Sequence, residues 1–81
     1  MEDYEENDGK AAGYVEALEA LSPREIEVLE LIGKGYTYKQ AAAKLALSVH
    51  TIHTHVKHIK EKLRINGYRG LVPWYRKQRQ A

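Results

Sequence analysis

Apolar residues recur at helical spacing through the middle of the chain. Val28, Leu29 and Ile32 form one inward stripe. Ile52, Val56, Ile59 and Leu63 form another at i, i+4, i+7 and i+11. Start and stop signals frame each stripe. Ser22-Pro23-Arg24-Glu25 is a capping box with proline at the first helical position, and Leu21 and Ile26 have the spacing of a hydrophobic staple. Gly35 is placed to end this helix in the left-handed region, so the pattern predicts a helix over 22–34. Thr37 is the next N-cap candidate, and a second helix runs to about Leu45 through Ala41, Ala42 and Ala43, small residues with high helix propensity. Ala46-Leu47-Ser48 makes a tight turn, and Ser48 caps a third helix from Val49 to about Leu63.

The flanks are less patterned. Residues 1–13 are acidic and contain glycine but almost no large apolar side chains, which reads as a disordered arm. Tyr14–Ala20 has the composition for two turns of helix with Val15 and Leu18 on one side, too short to stand alone. The chain therefore divides into an acidic linker or arm over 1–20 and a module over 21–81. The arm reads as a tether, either artificial or leading from an upstream domain. Beyond Leu63, Asn66-Gly67 is a turn signal. Leu71, Val72, Trp74 and Tyr75 are apolar enough to pack, and Pro73 is acceptable only in a first turn, so a short fourth helix is expected around 70–79, starting late.

Eighty-one residues allow one domain, and so short a chain has no room for a large enclosed active site. There is no cysteine, hence no disulfide and no Cys-ligated zinc, as suits a reducing cytoplasm. No membrane span or signal peptide is legible. The net charge of +2 hides a split. Residues 1–20 hold seven acids and one lysine (−6), whereas 21–81 hold twelve Lys or Arg and four Glu (+8). A basic module behind an acidic arm points towards nucleic acid, although Lys and Arg also merely solvate helix exteriors.

The third helix carries the candidate chemistry. At 100° per residue, His50, His53, Thr54, Lys57 and Glu61 lie opposite its apolar stripe, and its first three turns hold no acid. Such a front is suited to enter a major groove while the back packs on a core. His50, His53, His55 and His58 point in different directions on one helix, so no metal site is expected. Glu25, Glu27 and Glu30 have no nucleophile beside them and Glu25 is used by its cap, so no catalysis and no cofactor are expected. Tyr36, Tyr68, Trp74 and Tyr75 are spaced irregularly, which favours packing over a stacking platform.

Leu21-Ser-Pro-Arg-Glu, Val28 to Ile32, Gly35-Tyr36-Thr37, Lys39-Gln40, Ala42, Leu45, and Ser48 to Val56 ending in Lys62-Leu63 together resemble the LuxR-type helix-turn-helix domain. That family comprises bacterial transcription regulators, among them the output domains of NarL-type response regulators and quorum-sensing receptors. The resemblance implies an all-α, four-helix domain whose second and third helices form the helix-turn-helix. It implies phosphate contacts around Lys39, Ser48 and Thr51, beside which Thr37, Tyr38 and His58 are placed, and base-facing contacts from His53, Thr54 and Lys57, with His50 on the same front. It also implies dimerisation through the fourth helix, at Leu71, Trp74 and Tyr75; a helix shortened by Pro73 offers a smaller contact, with Trp74 folding back on the first helix as the alternative, so a monomer that dimerises only on two adjacent half-sites is expected. The chain departs from the family at five positions. His53 stands where Lys is common, Tyr38 where Asn is common, Ala41 where a larger aliphatic is usual, and Gly70 and Pro73 interrupt the fourth helix.

The expected function is sequence-specific binding of double-stranded DNA in bacterial transcription control, as a homodimer on DNA. An upstream receiver or ligand-binding domain and RNA polymerase are the expected partners, with no membrane. The alternative is a helical protein-interaction module that docks on RNA polymerase or a partner regulator. The sigma-factor helix-turn-helix is related, but it would need a second, promoter-opening region that this sequence lacks.

Overall fold

The structure is a computed structural model and describes residues 13–65 and 70–80. The acidic arm over 1–12, the Asn66-Gly67 turn and Tyr68 lie outside the described residues. Among the described residues there are five helices: α1 (Tyr14–Ala20), α2 (Pro23–Gly33), α3 (Tyr38–Leu45), α4 (Val49–Leu63) and α5 (Leu71–Gln80). The last four match the four helices expected from the pattern. No described helix is long and apolar enough to cross a membrane.

The caps work as their residue types dictate. The Ser22 hydroxyl accepts from the Glu25 amide at 3.2 Å, and the Glu25 carboxylate accepts from the Ser22 amide at 2.9 Å. Thr37 and Gln40 form the same reciprocal pair at 3.0 and 2.8 Å. Ser48 caps α4 by accepting from the Thr51 amide at 3.0 Å. Gly35 has φ +106°, and the Tyr36 amide turns back to the Leu31 carbonyl at 3.1 Å, which ends α2.

The turn between α3 and α4 uses the same left-handed device without glycine. Ala46 has φ 57°, and the Leu47 amide bonds back to the Ala42 carbonyl at 2.9 Å. A β-carbon in this region costs roughly 1–2 kcal/mol, against about 0.5–1 kcal/mol of extra chain entropy lost by glycine. Ala46 is exposed, so no packing is sacrificed on removing its methyl. Ala46→Gly is therefore expected to stabilise the domain by about 0.5–1 kcal/mol, read as a raised urea midpoint. A lowered midpoint would refute the strain account. Arg64, with φ 59°, ends α4 in the same way, ahead of the Asn66-Gly67 signal.

α2 is the centre of the bundle. It lies against α5 most extensively and also touches α4 and α3, while α3 and α4 pack on each other as the helix-turn-helix. Val28, Leu29 and Ile32 of α2 meet Ile52, Val56, Ile59 and Leu63 of α4 in one core with Ala41, Ala42, Ile65, Leu71, Trp74 and Tyr75. Pro73 occupies the third position of α5, where its missing amide costs no helical bond.

α1 presents a different face from the one its apolar pattern suggests. Val15 and Leu18 stay exposed, at 68% and 40%, whereas Ala17 is fully buried and Leu21 follows it into the core. The small Ala17 side chain permits a close approach to the bundle. The Tyr14 hydroxyl donates to Glu30 at 2.9 Å, and the Tyr75 hydroxyl donates to the other Glu30 oxygen at 2.7 Å. One carboxylate on α2 thus ties α1 to α5.

Glu25 is a second polar tie. It is buried, and the same oxygen that caps Ser22 also accepts from Lys62 Nζ of α4 at 2.8 Å. Burial pushes this carboxyl up, but the hydrogen bonds from Lys62 and the Ser22 amide, with the Lys62 charge, outweigh it and hold it below its ordinary value near 4.5. A depressed carboxylate stabilises the fold above its unfolded value, and that contribution is lost as pH falls through the lower folded value. Glu25→Gln is expected to be less stable than wild type at neutral pH, with the gap closing below about pH 4.5. A gap that stays constant on acidification, followed by urea melts, would contradict the ion-pair account.

Candidate nucleic-acid interface

The core stripe of α4 fixes what its other side presents. With Ile52, Val56, Ile59 and Leu63 buried, His50, His53, Thr54, Lys57, His58 and Glu61 are exposed. His55 and Thr51 sit half-buried at the flanks. His50 to Lys57 is two helical turns, about 10 Å, which suits a major groove about 12 Å wide. The Thr54 hydroxyl donates back to the His50 carbonyl at 3.2 Å, which leaves the lone pairs of this exposed residue's oxygen to accept.

The residues expected to face phosphate surround the starts of α3 and α4. Thr37, Lys39 and Ser48 are exposed, and Tyr38 is half-buried. Ser48 and Thr51 share a hydroxyl–hydroxyl bond of 2.9 Å at the first turn of α4. Helix N-termini of this kind present unsatisfied amides and a partial positive charge. The acids of α2 are already engaged, Glu25 by Lys62, Glu27 by Arg24 at 3.1 Å and Glu30 by Lys34 at 3.8 Å. Among the described residues Lys39, Lys57 and Lys60 form no ion pair, so their charge is available to a polyanion.

Two features of this surface escape a reading of the sequence by helix. Tyr38 of α3 meets His53 of α4 edge to face, with ring centroids 4.5 Å apart and planes at 70°. Both residues also border a shallow groove of about 350 Å³ with Val56, Lys57, Lys60, Glu61 and Ile65. Lys60 was absent from the expected set, although its i+7 spacing from His53 already puts it on that face. Leu71, Trp74 and Tyr75, where the resemblance implied a dimer contact, are buried in the chain's own core with α5 against α2. Among the described residues no three His, Asp or Glu side chains are grouped so that they could hold a metal ion.

Comparison with known proteins matches residues 19–74 to the family described as bacterial regulatory proteins, luxR family. The oxygen regulatory protein NreC of Staphylococcus carnosus (strain TM300) is 44% identical over 59 residues, covering 73% of this chain and 27% of that protein. NreC of Staphylococcus aureus (strain JH9) is 40% identical over 68 residues, covering 84% of this chain and 31% of that protein. The chain thus spans less than a third of the length of these relatives. No solved structure gives a significant match. With more than half of its length matched and its helix-turn-helix in place, the chain belongs to the luxR family of bacterial regulatory proteins, as a DNA-binding domain of transcription regulation.

Proposed function

We propose that this domain binds double-stranded DNA sequence-specifically, with α4 lying in the major groove. The observation that carries the reading is the exposed front of α4, with unpaired lysines and two capped helix starts beside it. In this arrangement Lys39, Ser48 and Thr51, with Thr37 and His58, neutralise or bond phosphates and set the register. His50, His53, Thr54 and Lys57 address base edges. Two copies are expected to sit on adjacent half-sites, although the apolar side chains of α5 are already used inside each copy. The same reading assigns a receiver or ligand-binding domain as regulatory partner and RNA polymerase as the machinery acted on.

Mobility shifts at graded salt test it. Affinity for a selected operator is expected to fall steeply with salt, and Lys39→Ala is expected to reduce that slope by about one unit without altering base preference. Binding with no sequence preference at any salt would sink the proposal in favour of a helical protein-interaction module.

A further inference from the structure

We propose that Tyr38 is a positioning residue for His53, so that base discrimination at one position of the operator depends on an aromatic ring supplied by the other helix of the motif. The inference rests on the reading that α4 faces bases. It starts from an asymmetry in how the two rings are held. His53 is exposed on α4 and has no hydrogen-bond partner among the described residues. An imidazole so placed has two free torsions, and each orientation offers a base edge a different choice of donor and acceptor. Tyr38 is anchored. It is the first residue of α3, directly after the Thr37 cap that Gln40 closes reciprocally, and its half-buried ring packs against the core.

The anchored ring meets the free one at 4.5 Å and 70°, the near end of the range that edge-to-face aromatic pairs prefer. The contact restricts the imidazole plane before any DNA arrives. A lysine at this position would hold a flexible point charge, whereas the braced imidazole presents a plane with a defined direction. Both rings border the same groove beside Lys57, so the orientation of His53 is set next to the lysine that shares its face. The Tyr38 hydroxyl is not needed for this, because the contact is made by the ring.

The experiment compares Tyr38→Phe, Tyr38→Leu, His53→Ala and the Tyr38→Leu/His53→Ala double variant. Each is measured on a selected operator and on its single-base variants, with folding checked by melting. His53→Ala is expected to flatten discrimination at one base pair. Tyr38→Leu is expected to flatten it at that same pair by about fivefold, with no further loss in the double variant, while Tyr38→Phe keeps it. In the free protein, the His53 ring protons are expected to lose their ring-current shift in Tyr38→Leu and keep it in Tyr38→Phe. Unchanged discrimination in Tyr38→Leu, or additive losses in the double variant, would overturn the positioning role and leave the reading of α4 intact. If the wild-type domain discriminates no base, the reading of α4 itself falls. Should Tyr38→Leu fail to fold, the wild-type protein decides: through-space proton cross-peaks between the Tyr38 and His53 rings support the contact, and their absence refutes it.

Discussion

Gly33→Ala is expected to destabilise the domain by about 1–3 kcal/mol, the usual range for overpacking a tight contact. Helix propensity alone predicts the opposite sign, because alanine is favoured over glycine by about 1 kcal/mol inside a helix. Gly33 is the last residue of α2, and α5 crosses it with Tyr75 lying on its α-carbon. A methyl there would stand 2.7 Å from Tyr75 Cβ and from Cδ1, and it would overlap Cγ. Cβ is attached directly to the α5 backbone, so turning the ring does not clear it. The helix itself must move, and that strains the 2.7 Å bond from the Tyr75 hydroxyl to Glu30 and loosens Leu71 and Trp74. In a domain of this size the loss corresponds to a Tm lower by roughly 5–20 °C. A Tm at or above that of wild type would show that α5 does not approach α2 this closely.

Lys57→Ala is expected to weaken operator binding by about 1–3 kcal/mol and to relax preference at the base it addresses, the magnitude of one good paired contact to a guanine edge. Lys57 is exposed on the face of α4 that carries His53, and no acid among the described residues claims its charge. Its proposed role is set apart from that of Lys39, which stands at the start of α3 and is the proposed phosphate contact. The contrast between the two variants is the test. Binding curves on an operator and its point variants are expected to show Lys57→Ala changing the ranking of sequences, and Lys39→Ala lowering all of them together. The reverse pattern would exchange the two roles, and a ranking untouched by either would remove α4 from base reading.

Much of this molecule was legible in the sequence because much of it is local. The caps at Ser22, Thr37 and Ser48 join residues three apart, and the apolar stripes of α2 and α4 repeat within a single helix. The exposure of His50, His53, Thr54 and Lys57 follows from the same periodicity, since burying one side of a helix presents the other. Leu71, Trp74 and Tyr75 announced that something covers them, but not whether a second copy or this chain does so. Val15 and Leu18 share one side of α1 but do not tell which side docks, because what meets the bundle is a small residue, Ala17, and a tyrosine hydroxyl reaching Glu30.

What only the tertiary structure decided are the pairings between distant residues. Tyr14 and Tyr75 share the Glu30 carboxylate from positions 16 and 45 residues away, and Lys62 reaches Glu25 across 37. Gly33 is indispensable only because Tyr75 crosses it, and the Tyr38–His53 pair exists only because the turn through Ala46 sets α3 against α4 at that angle. Periodicity and caps specify which elements form and which side of each is apolar, since those follow from the geometry of a few consecutive residues. The angle and depth at which two helices meet depend on the packing of the whole core, and no short window of sequence contains that information.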